Sequence, residues 1–183
     1  MSTREEIIQL GDQLIRDKGY NAFSFYDISK KLKIKNASIH YHFPTKAELG
    51  VSILKDHQGK LDLLMLSSVD RGPEFKLKAF LSIYSRIRSE DRVCLVGSLA
   101  TDLKTLEPKM ARALKDYSKK ILDWVSEILE EGRIKKVFAF EGSPRTKALM
   151  IISNMLASLQ LSRLTDEKDF YTIQETIIKE LKP

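Results

Sequence analysis

The sequence predicts an all-α protein of about nine helices. Three observations carry that expectation. Apolar residues recur at three- and four-residue intervals through nearly all 183 positions. Period-two alternation, which a half-buried strand needs, is confined to a modest stretch from Lys135 to Glu141. Eight Gly and five Pro are too few for long disordered or collagen-like segments.

The elements follow in chain order. The first helix runs from Thr3 to Lys18 with Ile7, Ile8, Leu10, Gly11, Leu14 and Ile15 on one face. Gly19 ends it as a left-handed cap, and Gly11 lets a second helix come close. Ser24, followed three residues later by Asp27, forms a shortened capping box that opens a helix from Phe25 to Leu32. Lys33, Ile34 and Lys35 connect it tightly to another short helix, about Asn36 to Phe43, whose Ile39 and Phe43 point inward. Pro44 breaks the pattern, because the residue before a proline avoids helical backbone, and Thr45 caps a longer helix to about Ser67. Pro73 opens a helix to about Arg88. A short helix is expected around Cys94 to Leu106. Glu107 and Pro108 start the next, whose apolar stripe from Met110 to Leu129 ends near Gly132. Lys135 to Gly142 reads as a loop or hairpin-like connection. Ser143 and Pro144 make an N-cap and first-turn pair for a helix to about Leu164, and Asp166 or Asp169 caps a last helix ending near Leu181.

Bulk properties narrow the function. The chain is 43% hydrophobic and 31% charged, an ordinary globular balance, with formal net charge +6. A pI of about 9.3 suits a polyanionic partner, although a solvated lysine-rich surface gives the same totals. The single cysteine, Cys94, excludes an internal disulfide framework and fits a reducing compartment. The N-terminus becomes charged too soon for a signal peptide, and no apolar run approaches the ~20 residues of a membrane span. A soluble, cytoplasmic protein with no membrane partner is expected. Enzyme chemistry finds little support. Of three histidines, His40 and His42 lie on one short helix and His57 stands alone. There is no paired His-Glu metal spacing, CxxC, Gly-rich phosphate loop or nucleophile elbow, so no cofactor or metal is predicted.

Two short helices joined by a few residues and braced by a longer one make a helix-turn-helix, expected as a three-helix domain over residues 1–50 with a larger helical domain over 51–183. At ~100° per residue, burying Ile39 and Phe43 turns Ala37 and Tyr41 outward, flanked by Ser38 and His40. Asn36 sits in the first turn, where a recognition helix meets base edges. No acidic residue stands between Asp27 and Glu48, while Lys30, Lys31, Lys33, Lys35 and Lys46 do, which is the pattern of a phosphate clamp. A solvated basic hairpin is the competing explanation of the same pattern.

The stretch from Gly19 to Leu49 resembles the tetracycline-repressor (TetR/AcrR) family of regulators. Ser24-Phe25-Tyr26-Asp27-Ile28-Ser29 looks like the opening of that family's second helix. Ser38-Ile39-His40-Tyr41-His42-Phe43-Pro44-Thr45-Lys46-Ala47-Glu48-Leu49 looks like its recognition helix and the start of its fourth. The resemblance implies that Asn36, Ala37 and His40 face base edges, that Tyr26 reaches a flanking base, and that Ser24, Ser38, Tyr41 and Lys46 hold phosphates, with Lys35 beside them. His42 would support packing. Two positions depart from the pattern: Lys33 stands where Gly is usual, and Lys35 where Ser or Thr is common, leaving Asn36 as a substitute cap.

The rest of the chain is expected to bind an effector and to dimerise. The helix from Ser143 is apolar on more than one face, so it is either a central core helix or shared between a core and a second subunit. The resemblance favours a homodimer whose interface uses Leu149, Ile152, Leu156, Leu159, Arg163, Phe170, Ile173 and Ile177, placing two recognition helices on a palindromic double-stranded DNA operator. It also implies a small-molecule effector of unknown identity, with Phe80, Tyr84, Cys94, Leu99, Tyr117, Trp124 and Met155 as candidate lining. Aromatic and Met residues at this spacing also serve simply as core. Cys94 reads either as a small core residue or as a thiol activated at a helix start. The function expected is a sequence-specific repressor released by a small, largely apolar ligand. A nonspecific architectural DNA binder is the alternative.

Overall fold

The computed structural model describes all 183 residues. It contains nine α-helices: α1 (Thr3–Lys18), α2 (Phe25–Leu32), α3 (Asn36–His42), α4 (Lys46–Ser67), α5 (Pro73–Ser89), α6 (Leu95–Thr101), α7 (Pro108–Ile134), α8 (Pro144–Leu161) and α9 (Glu167–Glu180). A single 3₁₀ turn at Tyr20–Ala22 links α1 to α2. No helix is long and apolar enough to cross a membrane.

Local signals set most helix starts. The capping box of α2 forms as the sequence predicts, with Ser24 and Asp27 bonding each other's backbone amides. Ser143 caps α8 and Pro144 begins it. At α9 the two candidate caps cooperate, Asp166 as N-cap and Asp169 closing the box behind it. A further box, Ser2 with Glu5, opens α1.

Three ends differ from expectation. α6 stops at Thr101 rather than near Leu106, because Asp102 to Thr105 fold into a turn closed by the Thr105 amide on the Asp102 carbonyl. α7 continues past Gly132 to Ile134, and Lys136, in left-handed backbone at φ 56°, follows its last turn. Gly132 serves a different purpose: a Cβ there would lie 1.9 Å from the Phe138 ring, so the bare backbone is where the returning loop packs. α8 ends at Leu161, and Ser162 to Thr165 turn into α9.

Residues pack into two units. The first comprises residues 1–61 with 95–117, the second 62–94 with 118–183. This division differs from a cut at residue 50, because α6 and the start of α7 fill the core of the N-terminal helices. Leu95, Leu99, Leu106, Met110 and Leu114 belong to one buried cluster with Ile7, Ile15, Ile28, Ile39, Phe43, Leu49 and Ile53. Gly11 of α1 faces α4 closely, with Ile53 Cδ1 and Leu49 Cδ2 3.0 and 3.2 Å from where a Cβ would stand.

In the second unit, α5, α8 and α9 pack together. Gln174 Nε2 donates to the Leu81 carbonyl at 3.0 Å. Lys76 pairs with Glu131 at 2.8 Å, and the Ala139 amide ties the loop after α7 to Leu181. Phe80 stacks edge-on with both Tyr84 and Trp124. The structure corrects three residues expected at a subunit interface. Leu159, Phe170 and Ile177 are only 1, 0 and 7% exposed and fill the chain's own core. The apolar face that α8 leaves open is the other one. It carries Leu149 and Met150 and continues through Leu161 to Leu164, with Ile152, Leu156 and Ile173 partly exposed beside it.

Candidate nucleic-acid interface

The interface is built on α2 and α3 of the first unit. Ile28, Ile39 and Phe43 are fully buried, and this fixes which way each short helix faces. α3 consequently turns Asn36, Ala37, His40 and Tyr41 to solvent. Tyr26 at the start of α2 and Tyr41 on α3 are 66 and 84% exposed, high for aromatic side chains. Ser24, Tyr26, Asn36, His40 and Thr45 line a concavity of about 520 Å³ between the two helices. Lys30, Lys31, Lys33 and Lys35 are all exposed along the end of α2 and the turn into α3.

The turn between the helices takes the conformation that a glycine would adopt freely. Lys33 lies at φ 56°, ψ 38°, and the amides of Lys33 and Ile34 both close on the Ser29 carbonyl. A non-glycine residue costs roughly 1–2 kcal/mol in this region, so the cap and the burial of Ile28 hold it there. α3 has no side-chain cap: Lys35 occupies the N-cap position in extended backbone, and Asn36 does not substitute for the missing hydroxyl. Asn36 therefore keeps both polar atoms for a partner.

Several expected contact residues already have partners inside the protein. The Ser24 hydroxyl bonds the Asp27 carboxylate at 2.7 Å, which together with the Ser24 amide holds that carboxyl below its usual range. His40 sets its ring edge-on to Phe25 at 5.0 Å, with Nδ1 3.4 Å from the Pro44 carbonyl. Lys46 is turned furthest from its expected role. Its Nζ donates to the Phe23 carbonyl at 2.5 Å and lies over the rings of Phe23 and Tyr20, at 4.2 and 4.6 Å from their centroids. Burial lowers the Lys46 pKa, while Asp102 and Asp27 oppose that effect. Burial also pushes the Tyr20 hydroxyl up to about 12, so its ring stays neutral beneath the ammonium.

Two clusters that position this head carry no motif in the sequence. Asp102, just beyond α6, accepts from the Tyr20 amide at 3.0 Å and from Asn21 Nδ2 at 2.9 Å, and Asn21 also reaches Thr105. Ser98 of α6 donates to the Ile15 carbonyl at the end of α1. On the other side of α1, Asp12 bonds Arg16 Nε and His57 Nε2, each at 3.0 Å. Burial raises the Asp12 pKa, but the His57 hydrogen bond and the Arg16 charge outweigh it and hold the carboxyl below its usual range. The long-range contacts here join residues 45 to 84 positions apart, beyond the reach of a local pattern.

The seven candidate effector-lining residues divide between the two units. Leu99 is buried in the first unit's core and Tyr117 packs against it. Phe80, Tyr84, Trp124 and Met155 are buried in the second unit, and Cys94 is partly buried just before α6.

Comparison with known proteins matches this arrangement. Residues 7–52 fit the family model described as bacterial regulatory proteins, tetR family. A solved TetR transcriptional regulator from Legionella pneumophila is 32% identical, with 100% of this chain and 98% of that chain covered and a TM-score of 0.87. A TetR-family regulator from Agrobacterium tumefaciens is 23% identical with a TM-score of 0.89, covering 98% and 97% of the two chains. The HTH-type transcriptional repressor NemR of Escherichia coli (strain K12) is 22% identical over 165 residues, 86% of this chain and 83% of that protein.

Proposed function

Because the chain belongs to the TetR family of bacterial transcription regulators, we propose that it is a homodimeric repressor that binds a two-fold palindromic operator and leaves it when a small, largely apolar effector binds. The observation that carries the DNA reading is the outward face of α3. Asn36, Ala37, His40 and Tyr41 stand free of the core within a lysine-rich, acid-free segment. An Asn amide pairs bidentately with adenine and an Ala methyl meets a thymine methyl. Tyr26, Tyr41 and the surrounding lysines supply phosphate contacts that set register.

The dimer uses the open face of α8 and the turn beyond it. Leu149, Met150, Leu161 and Leu164 are exposed there, and Ile152, Leu156 and Ile173 extend the patch. Contiguous exposed apolar residues of this size mark an interaction surface. Arg163, 3.9 Å from the exposed Asp91, stands at its rim. The effector enters the second unit beside the Phe80, Tyr84 and Trp124 rings, near Met155 and Cys94. It acts by preferring a conformation that binds DNA less well. Relatives named as repressors support the sign of regulation.

Selection of bound sequences from a random duplex pool at near-physiological salt tests the reading. Enrichment of a two-fold palindrome is expected. Tight binding without enrichment would replace the operator with nonspecific, architectural binding.

A further inference from the structure

Behind the recognition helix lies a second concavity, of about 330 Å³, whose chemistry differs from that of the first. Arg4, Lys55 and Lys109 bring three cations to it, against one carboxylate, Glu48. That carboxylate is already engaged by Lys109, whose Nζ lies 3.3 Å from Glu48 Oε1 and 3.2 Å from the Thr45 hydroxyl. Arg4 is held over the Phe43 ring and reaches Ser52. Lys55 is exposed on α4 and makes no ion pair. His42 and Phe43, at the end of α3, line this concavity, whereas Asn36, its first residue, lines the other together with His40.

We infer that this second concavity is an additional phosphate-binding surface for the DNA strand on the far side of the major groove. The inference rests on the DNA-binding reading above. α3 has seven residues and so spans about 10 Å at 1.5 Å per residue. A B-form major groove is about 12 Å wide. A helix of that length seated in the groove has a phosphate strand near each end. Hydroxyl and phenol groups of Ser24 and Tyr26 meet the strand beside its start. Arg4, Lys55 and Lys109 offer net positive charge beside its end. Lys109 belongs to α7, so part of the DNA surface comes from outside the helix-turn-helix segment. Lys109 also joins the two concavities, because its Thr45 partner lines the first.

The test uses the full-length protein and its selected operator, with affinity measured by fluorescence anisotropy between 50 and 200 mM salt. Lys55→Ala is the cleanest variant, since that side chain holds no partner within the fold. The expected result is a salt slope shallower by about 0.9 for each phosphate that is no longer neutralised. For two protomers this narrows the affinity loss across that salt range by about tenfold, with sequence preference unchanged. Lys55→Arg should restore the wild-type slope, and Lys109→Gln should reproduce the shallower one. Unchanged slopes in Lys55→Ala and Lys109→Gln, with wild-type operator binding intact, would overturn this surface alone. Failure of the wild type to bind any duplex would overturn it together with the DNA-binding reading.

Discussion

Replacing Lys46 with Met separates two roles that its position in the sequence leaves merged. Met keeps most of the aliphatic stem and removes the ammonium. The structure then gives up one charge-assisted hydrogen bond to the Phe23 carbonyl and two cation–π interactions. The hydrogen bond is worth about 1.5–3 kcal/mol and each ring interaction about 0.5–1 kcal/mol. These terms share one nitrogen and do not add fully, and relief of the buried charge offsets part of them. A net cost of about 2–3 kcal/mol is expected, which lowers Tm by about 5–10 °C in a chain of this size. The assay is thermal unfolding paired with operator affinity over a salt series. If Lys46 acts only inside the fold, Tm falls, affinity falls modestly, and the salt slope stays as in the wild type. An unchanged Tm with a slope reduced by about 0.9 per protomer would refute this reasoning and return Lys46 to the phosphate backbone.

Asn36→Ala should relax preference at one base pair at a cost of about 1–3 kcal/mol, while Tyr41→Ala weakens binding to all sequences alike; competition with single-base operator variants distinguishes the two. Leu161→Glu should raise the dimer dissociation constant at least tenfold without lowering the cooperativity of unfolding, by sedimentation and calorimetry. Leu159→Ala, within the chain's own core, should instead cost about 2–5 kcal/mol of stability. Acid titration should show the Asp12 carboxylate contributing to stability above its unfolded pKa of 3.8 and losing that contribution as pH falls through its lower folded value. Asp12→Asn should therefore be less stable near neutrality and should lose less stability than the wild type below about pH 4; parallel curves for the two proteins would argue against the Asp12–His57–Arg16 cluster as a stabilising unit.

What is legible in the sequence is what local chemistry determines. The Ser24–Asp27 box, the Pro44 break and the Ser143–Pro144 start each act within four residues, and each appears in the fold where the pattern places it. The inward pair Ile39 and Phe43 likewise fixes the outward face of α3. What stays hidden depends on distant partners. The end of α6 is set where Asp102 meets Tyr20 and Asn21, and the glycine at position 132 answers to the ring of Phe138. On α8, with apolar residues on two faces, periodicity does not say which one faces the chain's own core. Leu159 and Leu149 therefore look alike in the sequence although the first is buried and the second exposed. The lysines of the helix-turn-helix are alike in charge, and charge alone does not reveal that one of them points into an aromatic nest.

The shared core of the first unit bears on how such a head could be transplanted. Residues 7–52 are the part that matches the family model, and a designer of chimeric regulators would naturally cut near there. An excised fragment of that length would leave Leu95, Leu99, Met110 and Leu114 behind, baring the apolar surfaces of Ile7, Ile15 and Leu49 against water. It would also strip Asp102 from the Tyr20 amide. The portable piece is discontinuous, and carrying it to another protein means grafting two segments that lie far apart in the chain.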